Sequence, residues 1–415
     1  MERVVITGMG VVCSLGNTFE AALSAALAGQ SGIRRCDDLL EGEYGAELRC
    51  RVAGTIAGYD PRTVVPEKYL SVYDPATCYA LTAAEEAISS AGFDPTDDEK
   101  GETAVLIGLA APGKRAYHQA LRKAYLEKRA HKLSGAALPQ MSGNIPSALI
   151  SLKYGFTGAT FGIVNACATG ATVLGIAADF IRTGRANTVI AGGADAPIAL
   201  STFGSMLRAG AMNPTDDPIR ASKPFSADRA GLVVGEGAGV FVLESLERAL
   251  ARGATIHAEI LGDAHTNDAY HIYSPDPSGK TWTRAMDRAL QRAHVSPDEI
   301  DAINAHAAST PLGDLTETVA IKHLFGKRAD QIPVTASKSM HGHTWGAAGA
   351  IESALAIGAM NQGMVLPTTN LEIPDPECDL DYVSQGARPA RVERFLKNSF
   401  GFGGTNSCVV FGRAP

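Results

Sequence analysis

The sequence predicts a layered α/β fold made of two related halves, 1–252 and 253–415. Three observations predict it. Strand-like and helix-like runs alternate along the chain, as expected of a sheet covered by helices. A glycine-rich turn feeding a β-branched strand occurs twice, at Gly235-Glu-Gly-Ala-Gly-Val-Phe-Val-Leu243 and at Gly403-Gly-Thr-Asn-Ser-Cys-Val-Val-Phe411, once in each half. The order strand, reactive residue, helix also occurs twice, over 163–182 and over 302–325.

The first element, Val4-Val-Ile-Thr-Gly8, has the β-branched character of a buried strand closing on a turn, unlike the apolar stretch and cleavage site of an export signal. The following Gly8-Met9-Gly10 imitates a dinucleotide loop but lacks the third glycine and an acidic ribose partner. A strand over 105–107 leads into the loop Gly108-Leu-Ala-Ala-Pro-Gly113. The next segment, 114–132, carries Lys114, Arg115, Arg122, Lys123, Lys128, Arg129 and Lys132 against a single acid, Glu127. Further on come a helix over 171–182, a strand over 188–191, and a strand over 239–243 that passes into a helix over 244–252. In the second half, a short apolar strand over 300–303 precedes a helix ending at Phe325, and a glycine-rich turn opens a helix over 350–360.

With 45% hydrophobic and 20% charged residues, the 415-residue chain has the material for a large core. A net charge of −7 argues against a general nucleic-acid binder, which carries a basic surplus. Cys13, Cys36, Cys50, Cys78, Cys167, Cys378 and Cys408 are odd in number and form no CxxC pair, so they read as reduced thiols of a cytoplasmic protein. No apolar run approaches the ~20 residues of a membrane span, and the expectation is a soluble protein.

Cys167 lies in Asn165-Ala-Cys-Ala-Thr-Gly170, just ahead of the 171–182 helix. A thiol at a helix start meets the positive end of the dipole and free backbone N–H groups, which favour thiolate. His306 and His343 each fall at a strand-to-helix junction, where α/β folds expose functional groups. His341-Gly342-His343 also admits a metal-binding reading, but no cluster with ligand spacing supplies the three or four donors zinc requires.

Four motifs occur together: Asn165-Ala-Cys-Ala-Thr-Gly170; Asn304-Ala-His306 followed by Ser309-Thr-Pro-Leu-Gly-Asp314; Ser337-Lys-Ser-Met-His-Gly-His-Thr-Trp-Gly-Ala-Ala-Gly349; and Asn398-Ser-Phe-Gly-Phe-Gly-Gly-Thr-Asn406. In this order and spacing they resemble the β-ketoacyl-acyl carrier protein synthases of the elongating type, over nearly the whole chain. The resemblance implies a thiolase fold, a duplicated αβαβα five-layer architecture. It implies a decarboxylative Claisen condensation in which Cys167 carries the acyl chain and His306 and His343 hold the enolate oxygen. Lys338 would tune the histidines and Glu317 would anchor Lys338. The backbone N–H groups of Cys167 and Phe402 would form the acyl oxyanion hole, with Phe402 and Gly403 in the gate. Neither metal nor redox cofactor is implied, and the partners implied are acyl- and malonyl-loaded carrier protein and a second ketosynthase-like chain, as homodimer or heterodimer.

The resemblance also assigns the pocket. Ser309, Thr310 and Phe400 would line it; Ala308 replaces a pantetheine-binding hydroxyl; Ala111 stands where relatives carry a branched gate, and Ala136 and Ala137 where they carry aromatics across the dimer interface. Such small side chains leave volume for long or rigid chains, including polyenes. Lys132, Arg129 and Arg208 match carrier-protein docking positions. Three neighbouring classes fit less well. A non-catalytic chain-length subunit would lack the nucleophile; a thiolase needs a second cysteine that Gly401-Phe-Gly-Gly404 does not supply; a starter-unit synthase pairs Cys with His and Asn, whereas His343 stands here.

Overall fold

The computed structural model describes residues 2–37 and 48–415. Among the described residues, ten strands join into one mixed sheet: β1 (Val4–Cys13), β2 (Thr103–Gly108), β3 (Thr160–Ile163), β4 (Thr188–Asp195), β5 (Gly237–Ser245), β6 (Ala258–Asn267), β7 (Ala302–Asn304), β8 (Val334–Thr335), β9 (Arg394–Gly401) and β10 (Thr405–Arg413). Their spatial order is β8-β7-β9-β10-β6-β1-β5-β4-β2-β3. From the centre outward, β1-β5-β4-β2-β3 pairs antiparallel, antiparallel, parallel, parallel, and β6-β10-β9-β7-β8 repeats that pattern. The two sets meet where Val4, Val5 and Ile6 of β1 pair antiparallel with β6.

This topology confirms the glycine-turn echo, since β5 and β10 occupy equivalent places, and it corrects the other one. The counterpart of β3 is the opposite edge strand β8, not β7. Hence the turn carrying Cys167, after β3, is equivalent to the turn carrying His343, after β8, and His306 follows β7, the equivalent of β2.

Helices form three of the five layers. On the outer face of the first half lie α1 (Pro75–Ser90) and α2 (Ile145–Tyr154); on that of the second lie α4 (Lys280–Ala293) and α5 (Pro311–Phe325). Between the two halves run α3 (Thr169–Arg182) and α6 (Ala348–Asn361), each touching strands of both. The sequence explains this choice. A helix that is apolar all round must be buried, and twelve of the fourteen α6 residues are buried. By contrast α4 is amphipathic, burying Trp282, Ala285, Met286, Ala289 and Leu290 against β6 and β10 while its charged side faces out.

Two local features follow from packing. Gly8 and Gly10 serve the close approach of α1, because a Cβ on either would stand 2.1 Å from Ala87 O or 2.0 Å from Ala83 O. The helix expected from 244 begins at Leu246, since Glu244 stays in β5 with its buried carboxylate paired to Arg248 and Arg252.

Candidate active site

The turn between β3 and α3 presents Cys167. Ala166 takes φ 46°, a left-handed conformation unusual for a residue with a Cβ. Thr169 holds the turn: its Oγ1 accepts from Asn165 N at 2.8 Å and donates to Ala166 O at 2.7 Å. The β9–β10 loop closes over it, and here glycine is required, because a Cβ at Gly401 would stand 2.9 Å from Cys167 N. Cys167 is half-buried at the start of α3, and the backbone N–H groups of Phe402 and Cys167 both act on its sulfur.

Cys167, His306 and His343 line one cavity of about 410 Å³, together with Thr310, Phe400 and Phe402. The imidazoles stand 5.3 Å apart, centroid to centroid, at 83°. His343 sits between backbone bonds, its N–H donating to Val233 O at 2.7 Å and its carbonyl accepting from Gly235 N at 2.8 Å. The Trp345 N–H donates to His343 Nδ1 at 3.2 Å, which leaves the proton on Nε2. Burial, reinforced by Lys338, pushes His343 down to about 3 and His306 well below the ordinary imidazole range. Both rings are therefore neutral N–H donors at physiological pH.

Burial pushes the Cys167 thiol up to about 11, outweighing Lys338 and the two backbone N–H groups that favour thiolate. This corrects the expectation of a lowered thiol: a charge leaving water for an apolar cavity loses more than the helix start returns. Alkylation by iodoacetamide, followed by intact mass, is expected to climb with pH toward an apparent pKa near 11. A plateau reached below pH 8 would refute this.

Behind the histidines the structure rearranges the expected partners. Lys338 pairs with Glu352 at 2.7 Å, not with Glu317, and donates to His306 O at 2.5 Å. Glu317 instead accepts from the N–H groups of His306 and Ala307, at 2.9 and 2.8 Å, and from Asn398 Nδ2 at 3.0 Å, fixing the backbone that presents His306. Lys397 binds the other oxygen of Glu352 at 2.5 Å. Glu352 and Lys397 escaped the sequence reading, although a lone acid in the apolar run 348–360 is itself a buried-charge signal.

Other expected residues fall differently. Ser309 is fully buried and its Oγ accepts from Lys223 N at 3.1 Å, so it braces the loop and does not line the cavity. Ala110 lines the cavity in place of Ala111, whose N–H is tied to Asp195 at 3.1 Å. Ala136 and Ala137 lie outside that cavity, at the start of a short helix, Ala137–Gln140. Gly403, with φ 80°, adjoins the cavity between the lining residues Phe402 and Gly404. Lys132, Arg129 and Arg208 are exposed, whereas Arg115 turns inward to Glu236 at 2.6 Å and leaves the basic surface. Trp282 and Trp345, not anticipated, also line the cavity; Trp282 stacks on Phe400 at 3.7 Å and donates to Asp268.

The N-terminal domain model of the β-ketoacyl synthases matches residues 1–249 and the C-terminal domain model residues 257–372. The chain is 38% identical over 414 residues to the 3-oxoacyl-(acyl-carrier-protein) synthase 2 of Synechocystis sp., covering 99% of this chain and 98% of that one. Among solved structures it superposes, with TM-score 0.91 and 32% identity over 100% of both chains, on a type II polyketide acyl-carrier protein complex with its ketosynthase bound to the hexaketide. The ishigamide ketosynthase/chain length factor gives the same TM-score, identity and coverage. With the architecture, the cavity and both domain models in agreement, the chain belongs to the β-ketoacyl synthase family.

Proposed function

We propose that, in this β-ketoacyl-acyl carrier protein synthase, Cys167 is the acyl-carrying nucleophile and His306 and His343 are the enolate-stabilising donors. The observation that carries this is one cavity holding a thiol beside two neutral imidazoles. In the loading half, Cys167 Sγ attacks the acyl thioester, the oxyanion is held by the N–H groups of Cys167 and Phe402, and the thiol proton ends on the departing pantetheine sulfur. In the condensing half, the malonyl C–C bond breaks, CO₂ leaves, and the electron pair moves onto the thioester oxygen facing the two imidazoles. The enolate carbon then bonds to the acyl carbonyl, the C–S bond to Cys167 breaks, and the thiolate recovers a proton. The product is a β-ketoacyl chain two carbons longer.

The halves divide at 252/253, a boundary supported by the gap between the two domain matches. Exposed Lys132, Arg129 and Arg208 suit docking of an acidic carrier protein, through steering by opposite charge. The edge strand β3, with exposed Phe161 followed by exposed Val164, suits pairing with a second ketosynthase-like chain, either a copy or a chain-length partner. Ala136 and Ala137 would then meet that chain. A cytoplasmic location suits the free cysteines; no helix among the described residues is long and apolar enough to cross a membrane.

Mass spectrometry of Cys167 after incubation with a ladder of acyl carrier proteins tests the assignment. Adducts are expected on Cys167, extending to long chains because Ala110 leaves space, and Ala110→Phe is expected to shorten the longest chain loaded. Folded protein that takes up no acyl group would overturn the assignment, and an unchanged ladder in the variant would overturn the role of Ala110.

A further inference from the structure

Lys338 bonds to the backbone of His306, and a second buried lysine beside it has been given no task. Lys397 lies on β9 with no exposed surface. Its Nζ donates to Glu352 Oε2 at 2.5 Å, to Asn398 O at 2.7 Å and to Ala305 O at 3.4 Å, which satisfies an ammonium's three donors. Lys338 holds the other Glu352 oxygen and the His306 carbonyl. One carboxylate thus serves two ammonium groups, each tied to the strand end that presents His306. A lysine is a poor choice for filling space here: burying an ammonium is unfavourable even when paired, and methionine would occupy the same volume without that penalty. Its charge therefore points to function.

Lys338 and Lys397 balance Glu352 and Glu317 in number. Without Lys397 the cluster would hold two carboxylates and one ammonium, directly beneath a site where an enolate must gain negative charge. We propose that Lys397 is a positioning residue for the decarboxylative step, sharing Glu352 with Lys338 so that the buried cluster stays electrically balanced when the enolate forms. The proposal rests on the roles given above for Cys167 and the histidines.

The charged and titratable groups facing Lys397 are Glu352 on α6, Glu317 on α5, Lys338, and Cys408 on β10, with His306, His341 and His343 beyond. The three imidazoles are held neutral by burial, and the Cys408 thiol is pushed well above its ordinary range. Burial lowers Lys397 itself to about 8, against the pull of Glu352. As pH rises through that value, Lys397 loses its proton and the cluster turns net negative.

The test is kcat and KM for malonyl carrier protein between pH 6 and 10, using an acyl-loaded enzyme. Wild type is expected to lose kcat above about pH 8. Lys397→Met keeps the Lys338–Glu352 pair, and is expected to lower kcat about tenfold at pH 7, leave KM unchanged and abolish the alkaline limb. Lys397→Arg is expected to recover kcat and move the limb upward, since a guanidinium stays charged. A limb that persists in Lys397→Met, or a lowered melting temperature with kcat intact, overturns the proposal. If Lys397→Met does not fold, the arginine variant decides, and an unmoved limb overturns it. Wild-type protein that never acylates would overturn the assignment of Cys167 and this proposal together, whereas a normal wild type with an unaltered methionine variant overturns this proposal alone.

Discussion

Replacing Cys167 with alanine is expected to abolish acyl adducts and condensation together, whereas His343→Ala keeps acyl loading and slows condensation by about 10²–10³-fold, the usual loss for one oxyanion donor. The difference arises because the two oxyanions form in different places. In the proposed mechanism the acyl oxyanion meets the backbone N–H groups of Cys167 and Phe402, which already face the Cys167 sulfur and which a side-chain change at 343 leaves in place. The proposed enolate oxygen would meet the imidazole Nε2–H, whose tautomer is set by Trp345 N on Nδ1. Since burial holds His343 down to about 3, lowering the pH from 7 to 5 leaves the ring neutral, and no acid limb from it is expected in that range. Intact mass after acyl-carrier incubation and CO₂ release from malonyl carrier protein separate the two steps. Equal loss of loading and condensation in His343→Ala would show that the imidazole serves the sulfur and not the enolate.

Much of this site was legible in the sequence because turn chemistry is local. Asn165 to Gly170 and Phe400 to Gly404 specify their own tight backbone, and the distance between a strand end and the next helix start is short, so Cys167, His306 and His343 could be named without coordinates. The repeat was legible only in part. The turn before β5 and the turn before β10 do correspond, but 302–325 resembles 163–182 merely as strand followed by helix, and only the sheet order pairs β3 with β8. Partners chosen across the fold were the least legible. Glu317 was expected beside Lys338 from the resemblance alone, whereas the ammonium reaches Glu352, which the sequence did not single out. The choice follows from layers: Glu352 projects from the central helix α6, and Glu317, on outer α5, faces the β7 strand end instead. The Cys167 thiol was misjudged for a related reason, since a helix start is visible in sequence and the apolar cavity around it is not.

Glu352→Gln is expected to lower the stability of the whole protein by about 3–5 kcal/mol, the typical loss when one partner of a buried ion pair is removed. Glu352, Lys338 and Lys397 are each no more than 1% exposed, so water cannot take over the role of the missing charge. Burial alone would raise the Glu352 carboxyl; the two ammonium groups win and hold it down to about 2 from an ordinary 4.5. The sign follows from that depression: the carboxylate's stabilising share is complete above pH 4.5 and is lost as pH falls through about 2. A glutamine keeps the shape, offers one acceptor, and takes away the carboxylate charge that the two ammonium groups share. Against a total margin of about 5–15 kcal/mol, that is enough to bring unfolding by urea to a much lower midpoint. Adding Lys397→Met to Glu352→Gln removes one stranded ammonium, and part of the lost stability is expected to return. Such a recovery is a coupling that independent sites would not show. If Glu352→Gln unfolds at the wild-type urea midpoint, or the second change only adds to the loss, the three side chains do not share their charge as the distances indicate.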